Sequence, residues 1–215
     1  MSRIVAIDGP SGSGKSTVSR MLATRLKAVH VDTGAMYRAF ALKAMRSGVA
    51  AGDLALISRL LNATHIEISG DLVTMDGEDV SDLLRTPEVT EQSSKFAEIS
   101  EVREWMVKRQ RGIAASNTGI TVFEGRDIGS VVFPEAGLKV FVTASVEERA
   151  KRRAAEMDRP RREVREEIQA RDQRDTVRAH SPMMIADGAV VVDTTGRAPE
   201  KIVEDLAALA EEHLS

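Results

Sequence analysis

The sequence has no cysteine and few aromatic residues, and each shortage excludes a class of protein. With no cysteine among its 215 residues, the chain can form neither a disulfide bond nor a thiolate metal site. Aromatic residues make up 3% of the chain, too few for a platform that stacks single-stranded nucleic acid. The formal net charge of −3 gives no basic balance that would attract nucleic acid or an anionic membrane. We therefore expect no nucleic-acid partner and no membrane partner.

Long apolar runs and a leader segment are also missing. No run approaches the roughly 20 apolar residues that a membrane-spanning helix needs. The chain enters its first predicted strand with no charged-then-apolar signal segment before it. We expect a cytoplasmic protein and, because nothing in the sequence requires a partner chain, a monomer. Hydrophobic residues at 42% and charged residues at 29% are typical of a folded globular chain.

The most informative stretch that is present is a glycine-rich loop between an apolar run and a helical pattern. It has the P-loop form G-x-x-x-x-G-K-[ST] and consists of Gly9, Pro10, Ser11, Gly12, Ser13, Gly14, Lys15 and Ser16, with Thr17 following in the helix. Glycines let backbone N–H groups approach a phosphate, and the helix directs its positive end at the same anion. Lys15 supplies charge for the β- and γ-phosphates, and the Ser16 hydroxyl is a ligand for Mg²⁺. The loop predicts a nucleoside triphosphate and a metal, but it does not predict where the γ-phosphate goes.

Apolar runs alternate with helical patterns along the chain and predict a three-layer α/β fold with a five-stranded parallel sheet. The predicted strands cover residues 3–8, 29–31, 120–123, 138–142 and 189–193. Thr33 is the predicted N-cap of the helix after the second strand. Two charged helices are predicted at 146–156 and 163–176, and the break around Pro160 suits either a lid over phosphates or an exposed hairpin.

Between residues 62 and 84 the pattern changes from helical to alternating. Two short runs, 65–68 and 72–75, flank the turn at 69–71, and Asp76-Gly77 is a second turn signal. This pattern predicts a small antiparallel meander. We therefore expect an inserted subdomain at 62–105, a core formed by 1–61 and 106–215, and a lid at about 150–165.

Arginines follow the second and third predicted strands. Because parallel strands end at one edge of the sheet, we expect Arg38 and Arg126 to converge beside the P-loop, where they would bind an oxyanion such as a monophosphate. Surface or helix-capping arginines are the alternative. Asp127 would accept from an exocyclic amine, orient the arginine or act as a cap. Glu124 and Asp32 are candidates for holding Mg²⁺ through water, and an ordinary salt bridge is the alternative for Glu124.

Residues 171–178 form a dense run of charge. Its helical spacing places Arg171, Asp175 and Arg178 on one face. The ordinary interpretation of such a run is a solvated helix with surface salt bridges.

Four stretches together resemble the bacterial cytidylate kinase family, within the nucleoside monophosphate kinases of the P-loop class. They are residues 7–16, 32–38 (DTGAMYR), 124–134 (EGRDIGSVVFP) and 171–178 (RDQRDTVR). The second and third are far more specific than the P-loop, and the similarity runs along the whole chain. The resemblance implies transfer of the γ-phosphoryl group of ATP to CMP or dCMP, with Mg²⁺. It also implies a P-loop fold with an inserted nucleotide-binding subdomain and a helical lid.

The resemblance also implies roles for individual residues. Lys15, Arg126 and Arg178 would be catalytic. The acceptor nucleotide would be bound by Thr33, Tyr37, Arg38, Ser94, Arg103, Arg126, Asp127, Arg171, Asp175 and Arg178. Within that set, Arg38, Arg126 and Arg178 belong to the acceptor phosphate.

The other members of the set belong to the cytosine edge or the sugar. Ser94 and Arg103, which match only through their spacing, would read the cytosine edge together with Asp127. Arg171 and Asp175 would contact the sugar. Thr33 stands where the family often has serine, which keeps the hydroxyl at this sugar contact but adds a methyl group.

Three other functions stay open on the residues alone. One is a P-loop kinase for another small acceptor, such as UMP, AMP or shikimate. Another is a nucleotide-dependent switch, although the sequence has no guanine-reading N-K-x-D motif. The last is a binding module without turnover, against which the intact Lys15-Ser16 pair and the arginine set argue.

Overall fold

A computed structural model describes residues 2–178 and 180–214, which fall into two compact units. Unit 1 consists of Met1–His30 and Asn117–Ser215, and unit 2 of Val31–Ser116. In chain order the elements are β1 (Ile4–Asp8), α1 (Lys15–Leu26), β2 (Val29–Asp32), α2 (Thr33–Arg46), α3 (Leu54–Asn62), β3 (Ile66–Ser69), β4 (Leu72–Met75), β5 (Glu78–Asp79), α4 (Pro87–Phe96), α5 (Ser100–Ser116), β6 (Thr121–Gly125), β7 (Leu138–Thr143), α6 (Val146–Met157), α7 (Arg161–Val177), β8 (Val190–Asp193) and α8 (Pro199–His213). A 3-10 turn covers Ser81–Leu83, and a π-helical turn covers Ile128–Val132.

The five-stranded sheet has the order β2-β6-β1-β7-β8. β1 lies between β6 and β7 and runs parallel to both, and β8 runs parallel to β7. At the carboxyl end of β1, Asp8 is opposite Gly125 of β6 and Phe141 of β7. The segments that leave β1 and β6 therefore emerge side by side at the same edge of the sheet, where α/β proteins bind their ligands.

The core of unit 1 lies on the face of the sheet that α1 and α8 cover. Val5 and Ile7 of β1 are fully buried there, with Val18 of α1 and Leu206 of α8. Full burial of such a side chain stabilises the fold by roughly 1.5–3 kcal/mol. A separate, smaller cluster joins α6 and α7 and consists of Ala150, Ala154, Val164 and Ile168.

Unit 2 combines four helices with a small sheet. Its strands have the order β3-β4-β5 and pair antiparallel. The core contains Met36 and Phe40 of α2 and Phe96 of α4, and the two phenylalanine rings meet edge to face with centroids 5.4 Å apart. This geometry is one that aromatic pairs prefer.

The five parallel strands and the antiparallel meander predicted from the sequence are confirmed, with ends that differ by one or two residues. The predicted N-cap is wrong. Asp32, not Thr33, caps α2, because its carboxylate accepts a hydrogen bond from the N–H of Ala35 at 3.0 Å. Thr33 is the first helical residue and is buried.

Within the described ranges, each helix is too short or too polar to cross a bilayer.

Candidate active site

The P-loop (residues 9–16) connects β1 to α1. Gly14 caps α1 in the left-handed conformation, at φ 85°, which side chains with a Cβ rarely adopt. Lys15 is the first residue of α1, and its Nζ donates to the carbonyl of Pro10 at 3.3 Å. Ser16 and Thr17 are exposed on the first turn of the helix. The loop and the helix N-terminus together form a site suited to an anion.

The first glycine of the loop is required by the fold itself. Gly9 has φ 150°, and a Cβ at this position would lie 2.0 Å from the carbonyl oxygen of Val142 in β7. A backbone atom of a central strand cannot move aside, so no side chain fits.

An ion pair between α6 and α7 holds the backbone of Ser11 through both its N–H group and its carbonyl. Arg149, which is 5% exposed, donates from Nη1 to the Ser11 carbonyl at 3.0 Å and also to Asp172 Oδ2. Asp172 Oδ1 in turn accepts from the Ser11 N–H at 3.3 Å. The P-loop backbone is therefore fixed by side chains more than 100 positions away in the chain.

A second brace holds the next part of the loop. Arg152 of α6 donates to both the hydroxyl and the carbonyl of Thr194, at 2.9 and 2.8 Å. The Thr194 hydroxyl donates to the carbonyl of Ser13 at 2.9 Å.

A cluster of arginines and carboxylates, which we call the arginine cluster (Arg126, Asp127, Arg171, Asp175 and Arg178), joins the segment after β6 to α7. Arg126 Nε lies 3.0 Å from Asp175 Oδ2. The guanidinium of Arg178 lies 3.7 Å from Asp175 and 3.8 Å from Asp127. The side chains of Asp127 and Arg178 are less than a tenth exposed, so this face of α7 is not the solvated surface that the charge run suggested.

The electrostatics of the cluster favour the ionised form of Asp175. Burial by itself would raise the pKa of Asp175, but Arg126, Arg171 and Arg178 outweigh it and hold that pKa below its ordinary value. Arg126 and Arg178 are therefore held by charged partners, and a positioned guanidinium can bind a phosphate group through two parallel hydrogen bonds.

Asp8 ties the end of β1 to residues 125–132, which we call the β6 loop. Its two carboxylate oxygens accept from the N–H groups of Ile128 and Gly129, both at 2.8 Å. The last strand residue before the P-loop therefore binds the loop that carries Arg126.

Ser19 links α1 to the buried end of β6. Its hydroxyl lies 2.9 Å from Glu124 Oε2 and 3.0 Å from His30 Nε2. The Ser19 hydroxyl donates to the carboxylate, and His30 Nε2 lies at hydrogen-bond distance from the same hydroxyl oxygen. All three side chains are buried, and Ser19 Oγ also lies 3.2 Å from the carbonyl of Ser16.

In unit 2, Arg38 is held by the residue that caps its helix. Asp32 Oδ2 accepts from Arg38 Nη2 at 2.8 Å while Oδ1 caps α2. The capping oxygen and the ion pair fix the guanidinium beside the first turn of the helix.

Also in unit 2, Arg103 lies over the ring of Tyr37, with the guanidinium carbon 5.8 Å from the ring centroid. Arg103 is buried and donates to the carbonyl of Ala97 at 3.1 Å. Ser94 donates to the carbonyl of Thr90 at 3.2 Å, within its own helix.

Comparison with known proteins decides the family. The family model "Cytidylate kinase" matches residues 5–212. The chain belongs to the cytidylate kinase family. The resemblance inferred from the four sequence stretches is thereby confirmed.

Individual relatives agree over nearly the full length. A protein named cytidylate kinase from Caldanaerobacter subterraneus subsp. tengcongensis is 45% identical over 205 residues, 93% of this chain and 91% of that protein. Another of that name from Caldicellulosiruptor bescii is 42% identical over 214 residues, 95% of this chain and 94% of that protein. A solved gluconokinase from Sinorhizobium meliloti shares the fold at a TM-score of 0.50 and 15% identity, covering 97% of this chain and 91% of that one.

Within each unit, the structure brings together some of the residues that the cytidylate kinase resemblance implies. In unit 1 it assembles Arg126, Asp127, Asp175 and Arg178. In unit 2 it brings Tyr37 to Arg103, while Ser94 bonds inside its own helix.

Sequence reasoning missed the residues that hold the P-loop and the β6 loop. These are Asp8, Arg149, Arg152, Asp172 and Thr194. The charge runs on α6 and α7 were visible in the sequence, and Asp172 lies inside one of the stretches shared with the cytidylate kinase family. Their partners lie 120 or more positions away along the chain in several cases, which no local pattern reveals.

Proposed function

We propose that this member of the family is a cytidylate kinase that transfers the γ-phosphoryl group of ATP to CMP or dCMP and releases ADP with CDP or dCDP. Besides family membership, one observation carries the proposal. Two anion-binding segments, the P-loop and the β6 loop, leave neighbouring parallel strands at the point where Asp8 is opposite Gly125. Phosphoryl transfer requires two bound anions in line and little covalent work from the protein.

The P-loop is the donor half of the proposed site. Its backbone N–H groups and Lys15 bind the ATP phosphates, and the braces on Ser11 and Ser13 keep that backbone in place. Because the loop is already fixed, no free energy is spent on reorganising it when charge develops on the transferred group.

Mg²⁺ is the proposed metal, with Ser16 as its protein ligand. The hydroxyl of Ser16 is on the exposed first turn of α1, and a hydroxyl oxygen is a ligand type that Mg²⁺ accepts. Among the described residues no group of three or more His, Cys, Asp or Glu side chains could hold a metal. A Mg²⁺ held by one hydroxyl, phosphate oxygens and water needs no such group. When bound, the ion neutralises negative charge on the phosphates.

The arginine cluster supplies the acceptor half in unit 1. Arg126 and Arg178 bind the acceptor phosphate, Arg171 and Asp175 contact the sugar, and Asp127 reads the cytosine edge. The fixed guanidiniums orient the acceptor oxygen and spread the charge of the transition state. No dedicated base is needed, because the acceptor phosphate, with a second pKa near 6, is already a dianion at neutral pH.

For unit 2 the proposal assigns acceptor contacts to the residues that the resemblance implies. Arg38 binds phosphate, Thr33 and Tyr37 bind the sugar side of the nucleotide, and Ser94 and Arg103 bind the base. Arg103 and Tyr37 already touch in the structure, which supports a shared role. The subdomain at 62–105, the lid at about 150–165, the monomeric state and the cytoplasmic location belong to the same proposal.

A substrate panel tests the function. ADP release is coupled to a spectrophotometric signal with ATP, Mg²⁺ and either CMP, dCMP, UMP, AMP or shikimate. We expect CMP and dCMP to give the highest kcat/KM, and we expect activity to disappear with EDTA and return with excess Mg²⁺. A higher kcat/KM with UMP, AMP or shikimate would overturn the assignment of the acceptor, and no turnover with any of them would overturn the kinase proposal.

A further inference from the structure

Asp8 is a buried carboxylate whose two oxygens are both committed to the β6 loop. It is 3% exposed and is the last residue of β1, directly before the P-loop. Its partners, the N–H groups of Ile128 and Gly129, follow directly after Asp127. Asp8 therefore connects the β6 loop directly to the strand that precedes the P-loop.

The β6 loop needs this acceptor. The first N–H groups of a helical turn have no partner within the turn. The π-helical turn begins at Ile128, and the side chain of the preceding residue, Asp127, gives it no cap. Asp8 supplies the missing acceptors from another strand, and a charged acceptor makes roughly twice as strong a hydrogen bond as a neutral one. The backbone of Asp127 and Arg126 is held in place as a result.

The charge of Asp8 is not favoured by its surroundings. Burial raises the pKa of Asp8 to about 6, against the lowering effect of the Gly129 and Ile128 N–H groups; Asp127 raises it further and Arg126 lowers it.

The other charged groups on the neighbouring elements have hydrogen-bond partners of their own. Glu124 of β6 accepts from Ser19, and Lys139 of β7 donates to the carbonyl of Asp187. Lys15 of the P-loop donates to the carbonyl of Pro10. The π-helical turn, with the sequence IGSVV, has no charged side chain.

The raised pKa of Asp8 makes the stability of the fold depend on pH. The folded pKa lies above the value of about 3.9 for an unfolded aspartate, so the folded chain binds more protons between the two values. The stability of the fold therefore decreases as the pH rises through that interval. An ionised Asp8 at neutral pH therefore costs folding free energy relative to the protonated form.

Resting on the function proposed above, we propose that ionised Asp8 is a positioning residue for the acceptor nucleotide, because it fixes the backbone of Arg126 and Asp127 to the strand that carries the P-loop. Protonation removes the negative charge and places a hydrogen on one of the two accepting oxygens, which weakens the hydrogen bond that this oxygen accepts from the β6 loop. The β6 loop then loosens while the braces of the P-loop remain. Affinity for CMP falls in mildly acidic solution, and affinity for ATP is kept.

The Asp8→Asn variant tests the positioning role. Asparagine keeps the shape and one acceptor oxygen, but its NH₂ group faces an N–H group of the β6 loop. At pH 7.5 we expect the KM for CMP to rise at least about tenfold, which corresponds to about 1.4 kcal/mol. We expect the KM for ATP to change by less than about twofold, because the braces of the P-loop do not involve Asp8. The matched control is Asp79→Asn, an exposed carboxylate that also accepts a backbone N–H, from Ser81 at 3.0 Å. We expect the control to keep both KM values.

A pH profile tests the role of protonation. The phosphate of CMP itself titrates near pH 6, so the wild-type profile alone does not report on Asp8. The ionisation of CMP affects both proteins equally, so it cancels in the ratio of the wild-type kcat/KM for CMP to that of Asp8→Asn. We expect the ratio to be high at pH 7.5 and to fall towards one below about pH 6. A ratio that stays constant from pH 5 to 8 would overturn the proposal.

A measurement on the wild-type protein keeps the proposal testable if Asp8→Asn does not fold. The amide signals of Gly129 and Ile128 should shift together with pH, in the free protein, with a midpoint near the pKa of about 6. Amides that do not shift between pH 5 and 8 would overturn the proposal. If the wild type phosphorylates CMP and the Asp8→Asn variant has the same KM for CMP, the inference about Asp8 is overturned while the proposed function stands. A wild type that never phosphorylates CMP would overturn the proposed function, and the inference with it.

Discussion

Arg126 and Asp175 form an ion pair in which Nε and Oδ2 are 3.0 Å apart, although 49 positions separate the two residues in the chain. Their side chains are 17% and 13% exposed. The same guanidinium donates from Nη1 to the carbonyl of Gly125 at 3.1 Å. These two contacts fix the plane of the guanidinium, and a fixed plane is what allows arginine to bind phosphate in a bidentate way.

Arg126→Ala should impair the acceptor side of the reaction selectively. We expect kcat/KM for CMP to fall roughly 100-fold or more, because a positioned charge is lost from the transition state, while the KM for ATP stays within about twofold. Steady-state kinetics with each substrate varied in turn measures both values. Arg197→Ala is the control, since Arg197 forms an exposed pair with Asp205 at 2.6 Å. An unchanged rate at low CMP would remove Arg126 from the site.

Ser19→Ala should destabilise the fold. The change removes the hydroxyl that donates to the buried Glu124 carboxylate at 2.9 Å, and the loss of a hydrogen bond to a charged group costs about 1.5–3 kcal/mol. Urea denaturation measures the loss. Thr24→Ala removes an exposed hydroxyl from the same helix, one that bonds only to the carbonyl of Arg20, and should stay within about 0.5 kcal/mol of wild type. Equal stability of the two variants would show that Ser19 is not the required donor.

Arg149→Met should damage both stability and donor binding. Removing one partner of a buried ion pair leaves Asp172 uncompensated, and we expect a loss of about 3 kcal/mol in the free energy of unfolding. We also expect the KM for ATP to rise by about tenfold, because Arg149 donates to the carbonyl of Ser11 in the P-loop. Arg153→Met, in the same helix, breaks only an exposed pair with Glu156. A lower stability with an unchanged KM for ATP would limit Arg149 to a structural role.

Asp175 should contribute stability that depends on pH in the sense opposite to Asp8. Burial would raise its pKa, but three arginines hold the pKa below the ordinary value. A lowered folded pKa gives stability that is fully present above the unfolded pKa of about 3.9 and is lost as the pH falls through the folded pKa. The difference in unfolding free energy between wild type and Asp175→Asn should therefore be largest near neutral pH and should shrink towards pH 3. A difference that grows on acidification would contradict this assignment.

The sheet and the P-loop were predictable because their determinants are local. A short apolar run such as 4–7 that ends in a glycine-rich turn is typical of a buried strand, and the glycine and lysine spacing that follows it has one well-known use. The alternation at 65–68 and 72–75 likewise predicts the meander from a few residues. Local patterns also explain the error at α2, where Asp32 and Thr33 are both good N-caps and only the actual start of the helix decides between them.

The supports of the candidate site were not predictable, since they join residues that are far apart in sequence. Asp8 bonds to groups 120 and 121 positions away, and Arg149 to a group 138 positions away. The π-helical turn at Ile128–Val132 has no local signal, because its first N–H groups are satisfied by Asp8 and not by a neighbouring residue. The charge run at 171–178 suggested a surface, and only the fold shows that the side chains of Asp175 and Arg178, 13% and 6% exposed, pair with residues of the β6 loop.

The contact between Gly9 and the carbonyl of Val142 has a consequence for how such chains can evolve. The glycine is imposed by β7, not by a nucleotide, since a Cβ would lie 2.0 Å from the strand's own oxygen. A descendant that lost all activity would still be selected to keep it, as long as the sheet had to fold. The first glycine of the loop therefore reports on the fold and not on activity. Whether a divergent homologue has kept the activity has to be judged from Lys15 and Arg126.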